Sequence, residues 1–503
     1  MLVPDLLRRT AAAYPDREAV ADAGGTLTYR QLEAAAGRLA HALTAHGIRP
    51  GDRVAVMLPS CRQWAQIYFG IMAAGAVIVP VNPIYRSPEV HYQLSDASVS
   101  AMITLSALVP LVEGLRGELP ALHTVWQLDG AGPISLETAT RGEPPDLPTP
   151  DLPPAAPAAC LYTSGTEGRP KGAVLTHRNL VALFESMGRV LTMRPEDRYL
   201  CTLPLFHSFA EAVLLLLPAG TGGRVTIRDR FVPAEVLELI ASERITLLAA
   251  VPSMYRALLM AVERGAPHDF SSLEFPVSGG AALGVDLYEK FRRATGLSII
   301  EGYGPTECSP VVSVNPPRGG GKPGTVGLPL PGVGVEIWSE TGEPLGPGQV
   351  GEIVVYGETV MQGYWNRPEE TRQVIRDGHF LTGDLGTLDE DGYLTIVDRK
   401  KDLILVGGLN VYPSEVEQVL SGHPEVQEAV VVGAPDDVKG ESVHAFVVRQ
   451  PGSNLDARAL GVFVRERLAA YKRPRTYTFV DALPRNESGK VLRVKLREEI
   501  RHG

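Results

Sequence analysis

Cysteine is scarce: 4 in 503 residues, at 61, 160, 201 and 308, with no Cys-x-x-Cys pair. That spacing supports neither a zinc ribbon nor a dithiol redox motif. Reduced thiols in a cytoplasmic protein are the expectation. Basic charge is also short. Lys and Arg number 48 against 58 Asp and Glu, a formal net charge of -10. That argues against a nucleic-acid partner, which usually meets a basic face, but a local site for a small anion stays open. Long apolar runs are missing. "AVLLLLP" at 212–218 is among the longest, far below what a bilayer span requires. The start, "MLVPDLLRRTAAAYPD", has no basic segment followed by a long apolar one, so no signal peptide is expected. There is no internal repeat.

What is present is ordinary globular material, with 44% hydrophobic and 21% charged residues. The length exceeds what one core serves, so two or more domains are expected. Thr28 to Gln31 reads as a capping box, and Leu32, Ala36, Leu39, Ala40 and Leu43 then share a helical face that stops near Gly47. "DRVAVML" predicts a buried strand, followed by a helix around 62–74, the strand "AVIVP", a helix opened by Ser87-Pro88 and the strand "SAMIT". Such alternation implies an α/β fold with parallel sheets covered by helices. Residues 141–157 hold seven prolines and read as an exposed connector. The alternation resumes over 199–300. Around 322–357 short Gly/Pro-bounded β pieces suggest a small antiparallel or barrel-like unit. Past residue 400 the pattern predicts a separate α+β domain of about a hundred residues, with the charged run "DRKKD" (398–402) at the junction.

The most chemical stretch is "YTSGTEGRPKGAVLTH", 162–177. Its glycines would let backbone N–H groups converge on an anion. Thr163, Ser164 and Thr166 add hydroxyls and Lys171 a charge. It is not a Walker loop, GxxxxGK[ST]. Counted from Gly165, the second glycine is replaced by Pro170, and Gly172 follows Lys171. That removes a kinase-like or motor ATPase. The plainer reading is a flexible polar connection from strand to helix. Further along come "EGYGPTE" (301–307), "FLTGDLG" around Asp384, "DRKKDLI", "GGLNVYPSEVE" and "LPRNESGKVLR". Each alone is weak, since an acid beside glycine usually marks a turn and a lone lysine is usually solvated.

Together and in this order, from "LTYRQL" to "SGKVLR", these segments resemble the adenylate-forming superfamily. That family holds acyl-CoA synthetases, adenylation domains of nonribosomal peptide synthetases and firefly luciferase. "LTHRNL", "LPLFHSF" and "GGLNVYPSEVE" give it the flavour of a bacterial medium- or long-chain fatty acid–CoA ligase. The resemblance implies two half-reactions: a carboxylate attacks the α-phosphate of ATP to give acyl-adenylate and pyrophosphate, then a thiol displaces AMP. It implies that Thr163, Ser164, Gly165, Thr166, Gly168 and Lys171 surround the β- and γ-phosphates. Thr306 would hold the α-phosphate, and Glu307 would ligate Mg²⁺, a hard ion that takes oxygen ligands. Gly280, Ala281 and Tyr303 would form the adenine slot, with the ring stacking on Tyr303 and Glu301 accepting from the adenine amino group, and Gly304 would also belong to the ATP/AMP site. Asp384 would bind the ribose hydroxyls beside Arg399, and Lys490 would reach the carboxylate and α-phosphate, where charge develops. His207 matches an aromatic or histidine position near the acyl and thiol channels; the residues alone favour a core histidine bonded to backbone.

The resemblance also divides the chain into an N-terminal domain, 1–397, with a β-rich unit near 322–397, a hinge at 398–402, and a small mobile α+β domain, 403–503. The hinge residue would be Lys401, and Gly407 and Gly408 would line the pantetheine channel after rotation. The acyl pocket would be built by Phe209, Val251, Gly279 and Gly304. Those segments are small and apolar apart from Glu211. "LFHSF" lacks the aspartate of an amino-acid site, and no arginine waits for a second carboxylate. An aliphatic acid fits best, with an aromatic acid such as a cinnamate as the alternative. Coenzyme A is the expected thiol. Glu167, where most CoA ligases carry Thr, and "ECSPVVSVNP" also resemble acyl-acyl carrier protein synthetases, so an acyl carrier protein is the alternative acceptor. A homodimer is one expected assembly.

Overall fold

The computed structural model describes residues 1–132, 134–163, 169–436, 438–485 and 491–502. The chain divides into two compact units: 1–335 with 355–380, and 336–354 with 381–503. Residues of the β-rich stretch near 322–397 are thus shared between both units, and the segment 398–402 falls inside the second.

The first unit holds two mixed sheets. In the larger, nine-stranded one, six neighbours run parallel in the order Ile300–Tyr303, Phe275–Ser278, Leu247–Ala250, Arg198–Cys201, Arg224–Ile227 and Glu18–Asp22. In the seven-stranded sheet the parallel order is Pro157–Thr163, Val77–Pro80, Arg53–Met57, Ala101–Thr104 and Thr124–Gln127. Strands such as Val77–Pro80, Ala101–Thr104 and Leu247–Ala250 are buried at every position. This is why they read as continuous apolar runs rather than alternating ones. Helices Pro233–Ser242, Pro252–Glu263 and Val285–Thr295 supply Leu237, Tyr255, Leu258 and Phe291 to the core over the larger sheet.

The expected capping box is formed. Thr28 Oγ1 accepts from Gln31 N at 3.3 Å, and the Gln31 side chain accepts from Thr28 N at 2.9 Å. Helix Tyr29–Ala45 follows and buries Leu32, Ala36, Leu39, Ala40 and Leu43. Such a cap is worth about 1 kcal/mol.

Two expectations change. The connector 141–157 is not wholly exposed. Leu147 is buried, Arg8 donates to the carbonyls of Leu147 and Pro148, and the carbonyls of Pro145 and Asp146 lie over Gly37. Prolines deny the segment its own hydrogen-bond ladder, and its carbonyls serve instead to strap it across the helix. Secondly, the 162–177 motif does not run from strand to helix. Thr163 and Lys171 are cross-strand partners in an antiparallel pair, Pro157–Thr163 with Lys171–Thr176. Helix His177–Leu191 begins only after that second strand.

In the second unit residues 384–388, from the strand His379–Leu388 that begins two residues before that unit's segment 381–503, pair antiparallel with Leu394–Arg399. After it comes a five-stranded sheet in which Val426–Asp436 and Gly440–Arg449 pair antiparallel, with Thr476–Phe479 parallel on the outer side. Helices Pro413–Ser421 and Ala457–Arg465 cover one face through Val416, Leu420, Leu460 and Val464. Leu496, on helix Arg493–His502, packs with Val430, Val432 and Phe446. This is the α+β domain that the sequence predicts.

Candidate active site

In open α/β sheets, ligands bind beyond the carboxyl ends of parallel strands. The residues of interest in the first unit lie there. His207 and Phe209 follow Arg198–Cys201, and Val251 follows Leu247–Ala250. Gly279, Gly280 and Ala281 follow Phe275–Ser278. Glu301 and Tyr303 close Ile300–Tyr303, and Thr306 and Glu307 follow in a short 3₁₀ turn. Adjacent strands in one sheet therefore bring together residues a hundred positions apart.

Contacts bind these pieces. Ser208 Oγ lies 3.0 Å from Thr306 Oγ1. His207 caps the short helix Ser208–Glu211, its Nδ1 accepting from Phe209 N at 3.4 Å. The histidine is half-buried, so it is bonded to backbone without being a core residue. A Cβ added at Gly279 would stand 3.2 Å from the Phe209 ring, and one at Gly280 would stand 3.7 Å from Val251. Those four residues form one small apolar cluster. Gly304 is required for close packing: a Cβ there would collide with the carbonyl of Pro310.

Glu301 is buried, and its Oε1 accepts from Leu283 N at 2.8 Å. The carboxyl therefore anchors the turn that carries Gly280 and Ala281. Burial pushes its pKa up to about 8, against the opposing pull of the Leu283 N–H. Glu211 is buried too and accepts from Tyr68 OH at 2.6 Å; burial lifts it to about 7, with that hydrogen bond opposing.

At the phosphate motif, Thr163 Oγ1 donates to Glu307 Oε1 at 3.3 Å. Tyr364 OH donates to the same oxygen at 2.9 Å, and Lys171 Nζ lies 5.2 Å from the Tyr364 ring. Glu307 Oε2 takes no hydrogen bond from any described residue. A carboxylate with Oε1 anchored by Thr163 and Tyr364, and Oε2 bonded to no described residue, suits a divalent ion that takes its remaining ligands from water and phosphate. Among the described residues no group of three or more His, Cys, Asp or Glu could hold a metal by itself. Arg169 places its guanidinium 5.6 Å from the Tyr92 ring. Ser164, Gly165, Thr166, Glu167, Gly168 and Lys490 lie outside the described residues.

In the second unit Asp384 stands opposite Arg399, with Arg399 Nε 3.2 Å from Asp384 Oδ1. The carboxylate is 10% exposed. Lys401 lies in the turn Lys400–Asp402, where burial, then the cations of Arg399 and Arg497, push its pKa down. Asp402 is buried and pairs with Arg497 at 2.6 Å. Gly407 and Gly408 form a two-residue hairpin turn between Ile404–Val406 and Leu409–Val411, at φ 60° and 81°. That turn type needs positive φ at both positions, which explains the glycine pair without any ligand.

Sequence reasoning passed over Ser208 and Tyr364. Ser208 adjoins His207 in "PLFHSF", so its proximity was available once His207 was singled out. Tyr364 is 57 positions from Glu307, and no local signal links them.

No described helix is long and apolar enough to cross a membrane. Residues 7–365 match the family model described as AMP-binding enzyme, and 415–490 match the AMP-binding enzyme C-terminal domain. A long-chain-fatty-acid–CoA ligase of Bacillus subtilis (strain 168) is 39% identical over 525 residues, covering 98% of this chain and 94% of that protein. A feruloyl-CoA synthase of Amycolatopsis sp is 39% identical over 495 residues, covering 98% of each. The crystal structure of ATP-bound MatB from Rhodopseudomonas palustris superposes with a TM-score of 0.93 at 34% identity, covering 99% of both chains. A parallel sheet whose strand Ile300–Tyr303 leads into Thr306 and Glu307, the Thr163–Lys171 cross-strand pair bonded to Glu307 through Thr163, and matches along the whole chain agree: this protein belongs to the AMP-binding enzymes of the adenylate-forming superfamily.

Proposed function

We propose that this acyl-CoA synthetase activates a medium- or long-chain aliphatic acid as its acyl-adenylate and passes the acyl group to coenzyme A. The observation that carries the reading is the Phe209–Val251–Gly279–Gly280 cluster at the carboxyl ends of the parallel strands. It is apolar and bears no cation for a second carboxylate. Each buried methylene is worth about 0.8 kcal/mol, so such a wall selects acids by length. A specific observation favours a second reading. The feruloyl-CoA synthase shares as much identity as the fatty acid–CoA ligase, so an aromatic acid is the rival substrate.

In this reading the acid's carboxylate attacks the α-phosphate, and both partners are anions. The chain answers with fixed donors and charge. Thr163, Lys171 and the residues between them receive the β- and γ-phosphates. Thr306, steadied by Ser208, donates to the α-phosphate. Glu307 turns its open oxygen to Mg²⁺, which when bound neutralises triphosphate charge. Glu301 holds the Gly280–Ala281 turn against adenine, and its buried carboxyl is aimed at the base. Tyr303 stacks on the ring. Asp384 accepts from the ribose hydroxyls. Lys490 brings an ammonium to the carboxylate and α-phosphate. For the second step the segment 398–402 acts as the hinge between residues 1–397 and 403–503, at Lys401, and the Gly407–Gly408 turn lines the pantetheine path. Four free cysteines, three of them buried, fit a reducing cytoplasm.

The test is a panel of C4 to C18 acids and hydroxycinnamates, each run with CoA and with an acyl carrier protein. A peak in kcat/KM within the aliphatic series, with CoA, is expected. A peak at hydroxycinnamates moves the assignment to the aromatic reading. Turnover with the carrier protein alone moves the acceptor.

A further inference from the structure

Residues 359–371 brace two of the groups assigned to the nucleotide. Strand Gly363–Tyr364 lies antiparallel to Lys171–Thr176, with Tyr364 opposite Ala173 and Gly363 opposite Val174. Met361 N donates to the Glu307 carbonyl at 2.7 Å, and Tyr364 OH to its carboxylate at 2.9 Å. Glu307 is thus held at both its backbone and its side chain by one short segment.

That segment is itself pinned. Tyr364 N donates to Thr371 Oγ1 at 2.9 Å, and Arg367 pairs with Asp96 at 2.6 Å. Asp96 gives its other oxygen to Tyr162 OH, 2.7 Å away, one residue before Thr163. Tyr92, one turn earlier on the same helix, donates to the Pro170 carbonyl at 2.7 Å. Helix Ser87–Asp96 therefore grips Tyr162, Pro170 and, through Arg367, the Tyr364 strand.

We propose that Tyr364 is a positioning residue that aims the open oxygen of Glu307 and the Lys171 ammonium at the metal-bound phosphate tail of ATP, with the Asp96–Arg367 pair fixing Tyr364 in place. This deepens the adenylation reading and rests on it. The chemistry suits the task. Thr163 and Tyr364 both load Oε1, and no other described residue donates to the carboxylate, so among the described residues Oε2 is the oxygen left for a cation. A phenol orients a carboxylate without neutralising it, whereas an arginine or lysine there would compete with Mg²⁺. The ring face also draws the Lys171 ammonium without consuming its N–H donors.

The test compares the full chain with Tyr364→Phe and with Asp96→Asn. Calorimetric ATP affinity is measured in EDTA and in Mg²⁺, alongside the Mg²⁺ dependence of acid-driven ATP–pyrophosphate exchange. Tyr364→Phe keeps the ring over Lys171, so ATP affinity in EDTA stays at the wild-type value. Its Mg²⁺-dependent gain in affinity falls about tenfold, the order expected for one hydrogen bond to a charged group, and half-saturating Mg²⁺ rises in step. Asp96→Asn shifts both readouts the same way. An unchanged Mg²⁺-dependent gain in Tyr364→Phe overturns the proposal. So does an equal weakening with and without Mg²⁺, which would mark a merely structural contact. If the wild-type chain shows neither Mg²⁺-dependent ATP binding nor acid-driven exchange, the adenylation reading itself falls.

Discussion

Glu301→Gln probes the adenine side of the site through stability, and its effect can be worked out. The wild-type carboxyl is 6% exposed, accepts from Leu283 N at 2.8 Å, and is pushed by burial from 4.5 up to about 8. An acid whose folded pKa exceeds its unfolded value holds its proton more tightly in the native state. The unfolded chain then gains from ionising. The penalty is absent below about pH 4.5, grows as pH rises from there, and levels off above about 8. Stability therefore falls with rising pH across that window. At pH 7 the penalty is about 3 kcal/mol, from ~1.36 kcal/mol per unit over ~2.5 units. Glutamine keeps the acceptor for Leu283 and cannot ionise. With ~2.1 cal/mol/K of unfolding entropy per residue over the roughly 360 residues of the first unit, the variant should melt about 4 °C higher at pH 7. At pH 4.5 the two proteins should melt together. Differential scanning calorimetry at both pH values measures this. Glu211 titrates in the same range but is present in both proteins, so it cancels. An equal gap at both pH values, or a less stable variant at pH 7, would refute the assignment of a neutral buried carboxyl.

Gly279→Ala should shift the acid preference toward shorter chains, because its Cβ would stand 3.2 Å from the Phe209 ring. Each methylene displaced is worth about 0.8 kcal/mol, about fourfold in kcat/KM, and an unchanged length profile would remove Gly279 from the pocket. Lys490→Ala should nearly abolish adenylation, by ~100-fold or more as expected for a charged transition-state contact, yet spare thioester formation from supplied acyl-adenylate. Equal loss in both steps would count against a lysine that serves only the first. Lys401→Pro stiffens the turn Lys400–Asp402 and should slow thiolation more than adenylation. Wild-type rates in both steps would remove the hinge from this position.

Much of the fold is legible because it is local. Thr28 and Gln31 mark a helix start three residues apart, and the runs 77–80, 101–104 and 247–250 are apolar because both faces are covered. The order of motifs also reads directly, and Asp384 and Arg399, singled out separately, are cross-strand partners. What escapes is non-local. Glycine and proline in 162–177 mark a turn without saying whether a strand or a helix follows, and only pairing with Pro157–Thr163 decides. The proline-rich connector betrays no burial because Leu147 is its one buried side chain, the others being half-buried or exposed. Glu301 looks like an open acceptor in the sequence, yet one oxygen is already committed to Leu283. Glycines 407 and 408 look like a channel wall, while their positive φ angles answer first to a hairpin turn. Tyr364 is brought to Glu307 by sheet pairing with Lys171–Thr176, and its segment is held by Arg367, whose ion-pair partner Asp96 lies 271 positions away.

The central claim is that one chain joins a carboxylic acid to AMP before any thiol takes part. Acid-driven exchange of labelled pyrophosphate into ATP, run with Mg²⁺ and a fatty acid but no thiol, measures that step alone. The account predicts exchange that depends on the acid, and AMP as the nucleotide released once CoA is added. Release of ADP, or exchange that appears only when a thiol is present, would contradict it.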